Sequence, residues 1–273
     1  MSDLSAAGES SFYWPLKLID GPRRDDLARV YAWCKHVDQL ADAADTSAVM
    51  VFGWREWLCD GDLTRLPPSA HHLALGLQDA MTRGKIESEW LTQLLDGLVM
   101  DLAGEMRAPT MALLTAYCRR VAAMPGRMCL AILGWRGDDA EAFADAAGIA
   151  VQLTNILRDI DEDVRMGRLY IPREALDAAG IAASDPAIVV VDPRFAQAWL
   201  AIALRAEATF VHAEALLPAA RRRQVWPALA MLEIYRSLLR RLRARGWRPG
   251  ARRAQVPRWR RLAIAVSAMA GWA

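Results

Sequence analysis

Four polar side chains, Gln152, Asn155, Asp159 and Asp163, recur along a stretch that is otherwise mostly apolar, and their spacing limits how that stretch can fold. At 100° per residue they fall within an arc of about 80° on one side of a helix. Two carboxylates at i and i+4 repel each other, so such a stripe costs stability unless a cation rests against it. Oxygen donors at this spacing suit a hard divalent ion, Mg²⁺ first and Mn²⁺ second, which shares its coordination with substrate phosphates.

A second stripe repeats the pattern. Tyr31, Lys35, Asp38 and Asp42 share a helical face, again with carboxylates at i and i+4. Each stripe has a basic residue close by, Lys35 in one and Arg158 in the other. A single Asp pair of this kind is common on solvated helices. Two pairs embedded in apolar sequence fit opposite walls of one cavity, where carboxylates hold metal ions and basic groups hold the remaining oxygens of a diphosphate.

The rest of the chain reads as helix after helix. Periodicity predicts helices over 23–45, 48–59, 69–83, 86–103, 109–134, 138–165, 192–219 and 224–245, with a shorter one at 258–270. Pro67-Pro68, Gly134 to Gly137, Gly167, Asp185-Pro186 and Asp192-Pro193 punctuate them. Only Ala187–Val191 alternates like a strand, and it is too short to found a sheet. One all-α domain spanning 1–273 is expected, a helical bundle enclosing an apolar cavity with polar groups at one end.

Composition narrows the partners. The 273 residues are 54% hydrophobic and 24% charged, enough for a large core, and the formal charge of +2 gives no case for nucleic acid. Basic residues gather late, from Arg221–Arg223 through Arg240, Arg241, Arg243 and Arg245 to Arg260 and Arg261, ahead of the apolar tail Leu262–Ala273. That order suits contact with anionic headgroups at a membrane surface, although the tail is too short to span a bilayer. Met1–Ser11 lacks the apolar core of a signal peptide. Cys34, Cys59, Cys118 and Cys129 have no metal-binding spacing and read as buried free thiols, and His71-His72 reads as the start of a helix; a cytoplasmic address follows.

The two stripes also resemble known signatures. Gln152-Leu-Thr-Asn-Ile-Leu-Arg-Asp-Ile-Asp-Glu-Asp163, continued by Arg165-Met-Gly-Arg-Leu-Tyr-Ile-Pro172, is similar to the second signature of the squalene/phytoene synthases, and Tyr31–Asp42 is similar to the first. Weaker likenesses lie at Ser10–Tyr13, Tyr117–Gly126 and Met231–Leu239. The sequence departs from the family pattern at Lys35, Gln39, Ala123 and Pro125. Lysine keeps a charge but loses the guanidinium fork, and a proline in a helix removes a backbone hydrogen bond and kinks it.

The resemblance implies an isoprenoid-synthase bundle that joins two isoprenoid diphosphates head to head. It places Asp38, Asp42, Asn155, Asp159 and Asp163 on the metal ions, and Lys35, Arg158, Arg168 and Arg253 on diphosphate oxygens. It sets Gln152 in the cavity wall, and Phe12, Tyr31, Tyr117 and Tyr235 near the reacting carbons. Taken as residues alone, Phe12 and Tyr235 read equally well as core aromatics. Within the family the chain looks most like the presqualene diphosphate synthases of the bacterial hopanoid pathway, which use farnesyl diphosphate and no NADPH. Phytoene synthase, squalene or dehydrosqualene synthase, and an inactive isoprenoid-binding homologue are the alternatives. A downstream enzyme of the squalene pathway and the inner-membrane surface are the implied partners.

Overall fold

The computed structural model describes residues 13–19, 21–41, 47–84, 86–183 and 185–271. Phe12 and Asp42 therefore lie outside the described residues. Among the described residues thirteen α-helices follow in order: α1 (Tyr13–Leu18), α2 (Pro22–Ala41), α3 (Ser47–Asp60), α4 (His71–Gly84), α5 (Ser88–Leu102), α6 (Met111–Cys118), α7 (Met124–Ile132), α8 (Asp138–Arg165), α9 (Arg173–Ala178), α10 (Pro186–Val189), α11 (Phe195–Ala215), α12 (Trp226–Arg245) and α13 (Arg258–Met269). Among the described residues there is no strand, and Arg107 and Leu169 form an isolated parallel bridge.

Helix α8 organises the molecule. Its 28 residues make a rod about 42 Å long, with Asp138, Asp139 and Glu141 in the first turn, where the helix dipole favours negative charge. Its first half buries Ala140, Phe143 and Ala144 in a core shared with α2 to α5 and α7. The second half buries Leu153, Ile156, Leu157 and Ile160 in a core shared with α6, α9, α11 and α12. Arg127 ties α7 to α8 through Glu141 and Asp145, the latter at 2.9 Å. On the other side Asp26 of α2, only 4% exposed, accepts hydrogen bonds from Arg83 of α4 at 2.7 Å.

Several sequence expectations change. The predicted helix 109–134 is broken by a π-helical turn, Arg119–Ala123, in which the Met124 N–H donates to the Arg119 carbonyl. The wider turn comes just before Pro125, which has no N–H to give, and it takes the place of a simple kink. The turn is held between two glycines. A Cβ on Gly148 would sit 2.5 Å from the Ala123 backbone, and one on Gly97 would sit 2.6 Å from Val121 Cγ1. Helices α1, α9 and α10 were not anticipated because each is six residues or fewer, too short to show periodicity. The strand-like Ala187–Val191 forms a helical turn instead, capped by the Asp185 carboxylate on the Ala187 N–H, with Pro186 at its start. His71 does open α4. All four cysteines are free, but Cys59 is exposed because it falls in the last turn of α3, where the helix leaves the core.

Candidate active site

Helices α2, α5, α7, α8 and α12, with the π turn, enclose a cavity of about 440 Å³. Its deep walls are apolar, formed by Leu27, Val30, Leu98, Leu130, Phe143 and Ala144, while Tyr31, Lys35, Asp38, Gln152, Asn155, Arg158 and Tyr235 supply its polar groups. Helical phase produces this division. On α2 the cavity face is Leu27, Val30, Tyr31, Cys34, Lys35 and Asp38, while Trp33 and Val37 point into the core. Cys34 and Cys129 also line the cavity, and burial pushes both thiols up to about 12. They stay neutral near pH 7, so these walls present no thiolate.

Seven of the predicted site residues line the cavity: Tyr31, Lys35, Asp38, Gln152, Asn155, Arg158 and Tyr235. The carboxylates on α8 stand outside this lining and differ from each other. Asp159 is 16% exposed and is held by two guanidinium groups: Arg158 donates to it at 2.8 and 2.5 Å, and Arg253 donates at 2.7 and 3.0 Å. Burial alone would raise its pKa, but these hydrogen bonds outweigh burial and hold it below the usual carboxylate value. Arg158 is affected in the complementary way: burial opposes its charge, and Asp159 and the Tyr235 hydroxyl more than compensate. Asp163 has no such fork. Burial, then the charges of Asp159 and Asp101, push it up to about 8 against the partial relief of Arg168.

Tyr117 was predicted to lie near the reacting carbons but does not line the cavity. Its hydroxyl donates to Asp101 at 2.8 Å, its ring stacks on Tyr170 at 5.3 Å, and the Tyr170 hydroxyl donates to the other Asp101 oxygen at 2.6 Å. Asp101 is the residue that sequence reasoning missed. It occupies the last turn of α5, where the helix dipole disfavours a carboxylate, and that was the available signal of local partners.

The donor set fits a hard cation. Asn155 Oδ1 is buried without a hydrogen-bond partner, although its amide nitrogen reaches Gln152 Oε1 at 3.4 Å. A buried acceptor without a partner, on the same helical stripe as the α8 carboxylates, is the kind of group a hard cation would satisfy. Among the described residues, no three Asp, Glu, His or Cys side chains converge into a ready-made cage. Magnesium does not require one, since it keeps several waters and binds through one or two carboxylates plus substrate phosphates.

Residues 5–260 match the squalene/phytoene synthase family. The chain belongs to that family. A presqualene diphosphate synthase from Sinorhizobium fredii is 37% identical over 89% of this chain and 87% of its own length. One from Rhodopseudomonas palustris is 35% identical over 94% and 91%. Among solved structures, a squalene synthase from Alicyclobacillus acidocaldarius superposes with a TM-score of 0.74, at 25% identity over 90% of this chain and 92% of its own. A dehydrosqualene synthase shares the all-α fold at a TM-score of 0.80, with 23% identity and 98% and 94% coverage. This member of the family thus carries the isoprenoid-synthase fold, with both signature helices facing its cavity.

Proposed function

We propose that this protein condenses two molecules of farnesyl diphosphate head to head into presqualene diphosphate, releasing diphosphate and a proton, without NADPH. The observation that carries this reading is the cavity itself: an apolar pocket with carboxylate, amide and basic groups gathered from two facing helices. The likeness to presqualene diphosphate synthases from two bacteria supports it, and one isoprenoid-synthase domain over 1–273 is part of the same proposal.

Lys35, Arg158, Arg168 and Arg253 bind the diphosphate oxygens and stabilise the charge left when the allylic C–O bond breaks. Asp38, Asp42, Asn155, Asp159 and Asp163 would hold Mg²⁺, which when bound neutralises the leaving diphosphate. Gln152 orients the headgroup at the cavity wall. Tyr31 and Tyr235 offer π-faces to the allylic cation, and the apolar walls keep water away from it. The 2,3-double bond of the second farnesyl chain attacks that cation. Loss of a proton from the newly bonded carbon then closes the cyclopropane, with the released diphosphate as acceptor, since among the described residues no histidine lines the cavity. Phe12 and Tyr117 complete the aromatic set in this reading, with Tyr117 held by Asp101. Substrate and product both carry long hydrocarbon chains, so the enzyme works at the cytoplasmic face of a membrane and passes its product to the next enzyme of squalene and hopanoid formation.

The test is a product assay with Mg²⁺ and either farnesyl or geranylgeranyl diphosphate, without NADPH, read by mass spectrometry. A thirty-carbon monodiphosphate from farnesyl diphosphate is expected. A forty-carbon hydrocarbon from geranylgeranyl diphosphate would make the protein a phytoene synthase, and saturable binding without product would make it an inactive binder.

A further inference from the structure

The last helix is built inside out. Its inner side packs Ala265 and Ala268 against Ala230 of α12, beside Trp226 and Leu18. On the outer side Trp259, Ala263 and Val266 fall within an arc of about 60°, with Met269 on one shoulder. Trp259 is 71% exposed, Val266 44% and Met269 43%. Arg258 and Arg260 flank the arc at its N-terminal end, one on each side. A helix facing water should be polar on this side.

Charge identifies what the face meets. After Glu233 the sequence has eleven arginines and no aspartate or glutamate, so this segment carries +11 while the first 233 residues carry −9. Arg248, Arg252, Arg258 and Arg260 enter no ion pair among the described residues. Two copies of this face would bring like charges together, and an arc on one helix of 12 residues is small beside the roughly 800 Å² per partner of a stable dimer. An apolar arc with an exposed tryptophan and arginine shoulders matches the interface of an anionic bilayer instead. The helix is about 18 Å long, too short to cross it.

We propose that α13 docks on anionic membrane by inserting Trp259, Ala263 and Val266 at headgroup depth, with Arg258 and Arg260 on lipid phosphates. The proposal rests on the lipid-metabolising reading above and deepens it. The segment between α12 and α13 links the docking face to the candidate active site: the Gly250 N–H donates to Asp161 at 3.1 Å, and Arg253 forks Asp159. One short segment thus joins the docking helix to the α8 carboxylates.

The test is co-sedimentation of the full chain with vesicles of phosphatidylcholine alone or with one-third phosphatidylglycerol. Binding to the anionic vesicles is expected, with release in 1 M salt, where the screening length falls to about 3 Å. The pair R258Q and R260Q should weaken binding about thirtyfold, at about fivefold per arginine, and the pair W259S and V266S at least tenfold. Both pairs should keep wild-type turnover on detergent-dispersed farnesyl diphosphate. Binding unchanged by both pairs, or equal on uncharged vesicles, overturns the proposal. Failure to bind vesicles together with Trp259-dependent self-association also overturns it and assigns the face to a second copy. Vesicle binding without turnover would leave the docking intact and refute the catalytic reading.

Discussion

The two helices that face each other across the cavity, α2 and α8, carry the same Asp-x-x-x-Asp pattern in sequence but present their carboxylates differently. On α2, Asp38 is exposed at the cavity edge, one turn beyond Lys35. On α8, Asp159 is half-buried between two guanidinium groups and Asp163 is half-buried without a fork, so one is held ionised and the other is raised towards neutrality. On α8 one spacing thus yields two electrostatic states. Burial and the reach of distant arginines decide which state each residue adopts.

Four substitutions can break or sharpen this contrast. Asp159→Asn should have the largest effect, a loss of turnover of about a hundred- to thousandfold. It should also cost roughly 2 kcal/mol of stability because Arg158 loses its counter-charge inside the protein, which is a fall in Tm of about 4–8 °C by calorimetry. Asp38→Asn should lose turnover on a similar scale with a stability change within about 0.5 kcal/mol. An equal loss of stability in both variants would abolish the distinction between the walls.

Asp163→Asn acts in the opposite direction. A carboxyl raised to about 8 retains its proton in the folded state after the unfolded chain has released it. It therefore stabilises the metal-free fold most at low pH, and that contribution is lost as pH rises from about 4 through about 8. The variant lacks this decline, so its Tm advantage without metal should grow across that window and level off above it. A constant difference from pH 5 to 9 would show that Asp163 titrates normally. Arg253→Gln should be the mildest, weakening substrate binding by about fivefold, since this partly exposed pair is worth at most about 1 kcal/mol. Initial-rate kinetics should show a raised KM with little change in kcat.

Much of this was legible in the sequence. Both stripes, the course of α8 and the cavity face of α2 follow from a 3.6-residue period, a property of the local chain. The phase of Lys35, Asp38, Gln152 and Asn155 needed no tertiary information, and the cavity receives all four. The position of Asp101 in the last turn of α5 hints at partners but cannot name them, because Tyr117 and Tyr170 lie 16 and 69 residues away and meet it only once α5, α6 and the segment after α8 have packed. The Arg253–Asp159 fork spans 94 residues, and the π turn between Gly97 and Gly148 depends on two helices pressing from opposite sides.

The sequence alone determined which side chains share a helical face, because that depends only on backbone periodicity. The tertiary structure decided which of those side chains remain charged. Desolvation and Coulomb forces act through space, and the groups exerting them on Asp159 and Asp163 include Arg253 and Asp101, both remote in sequence.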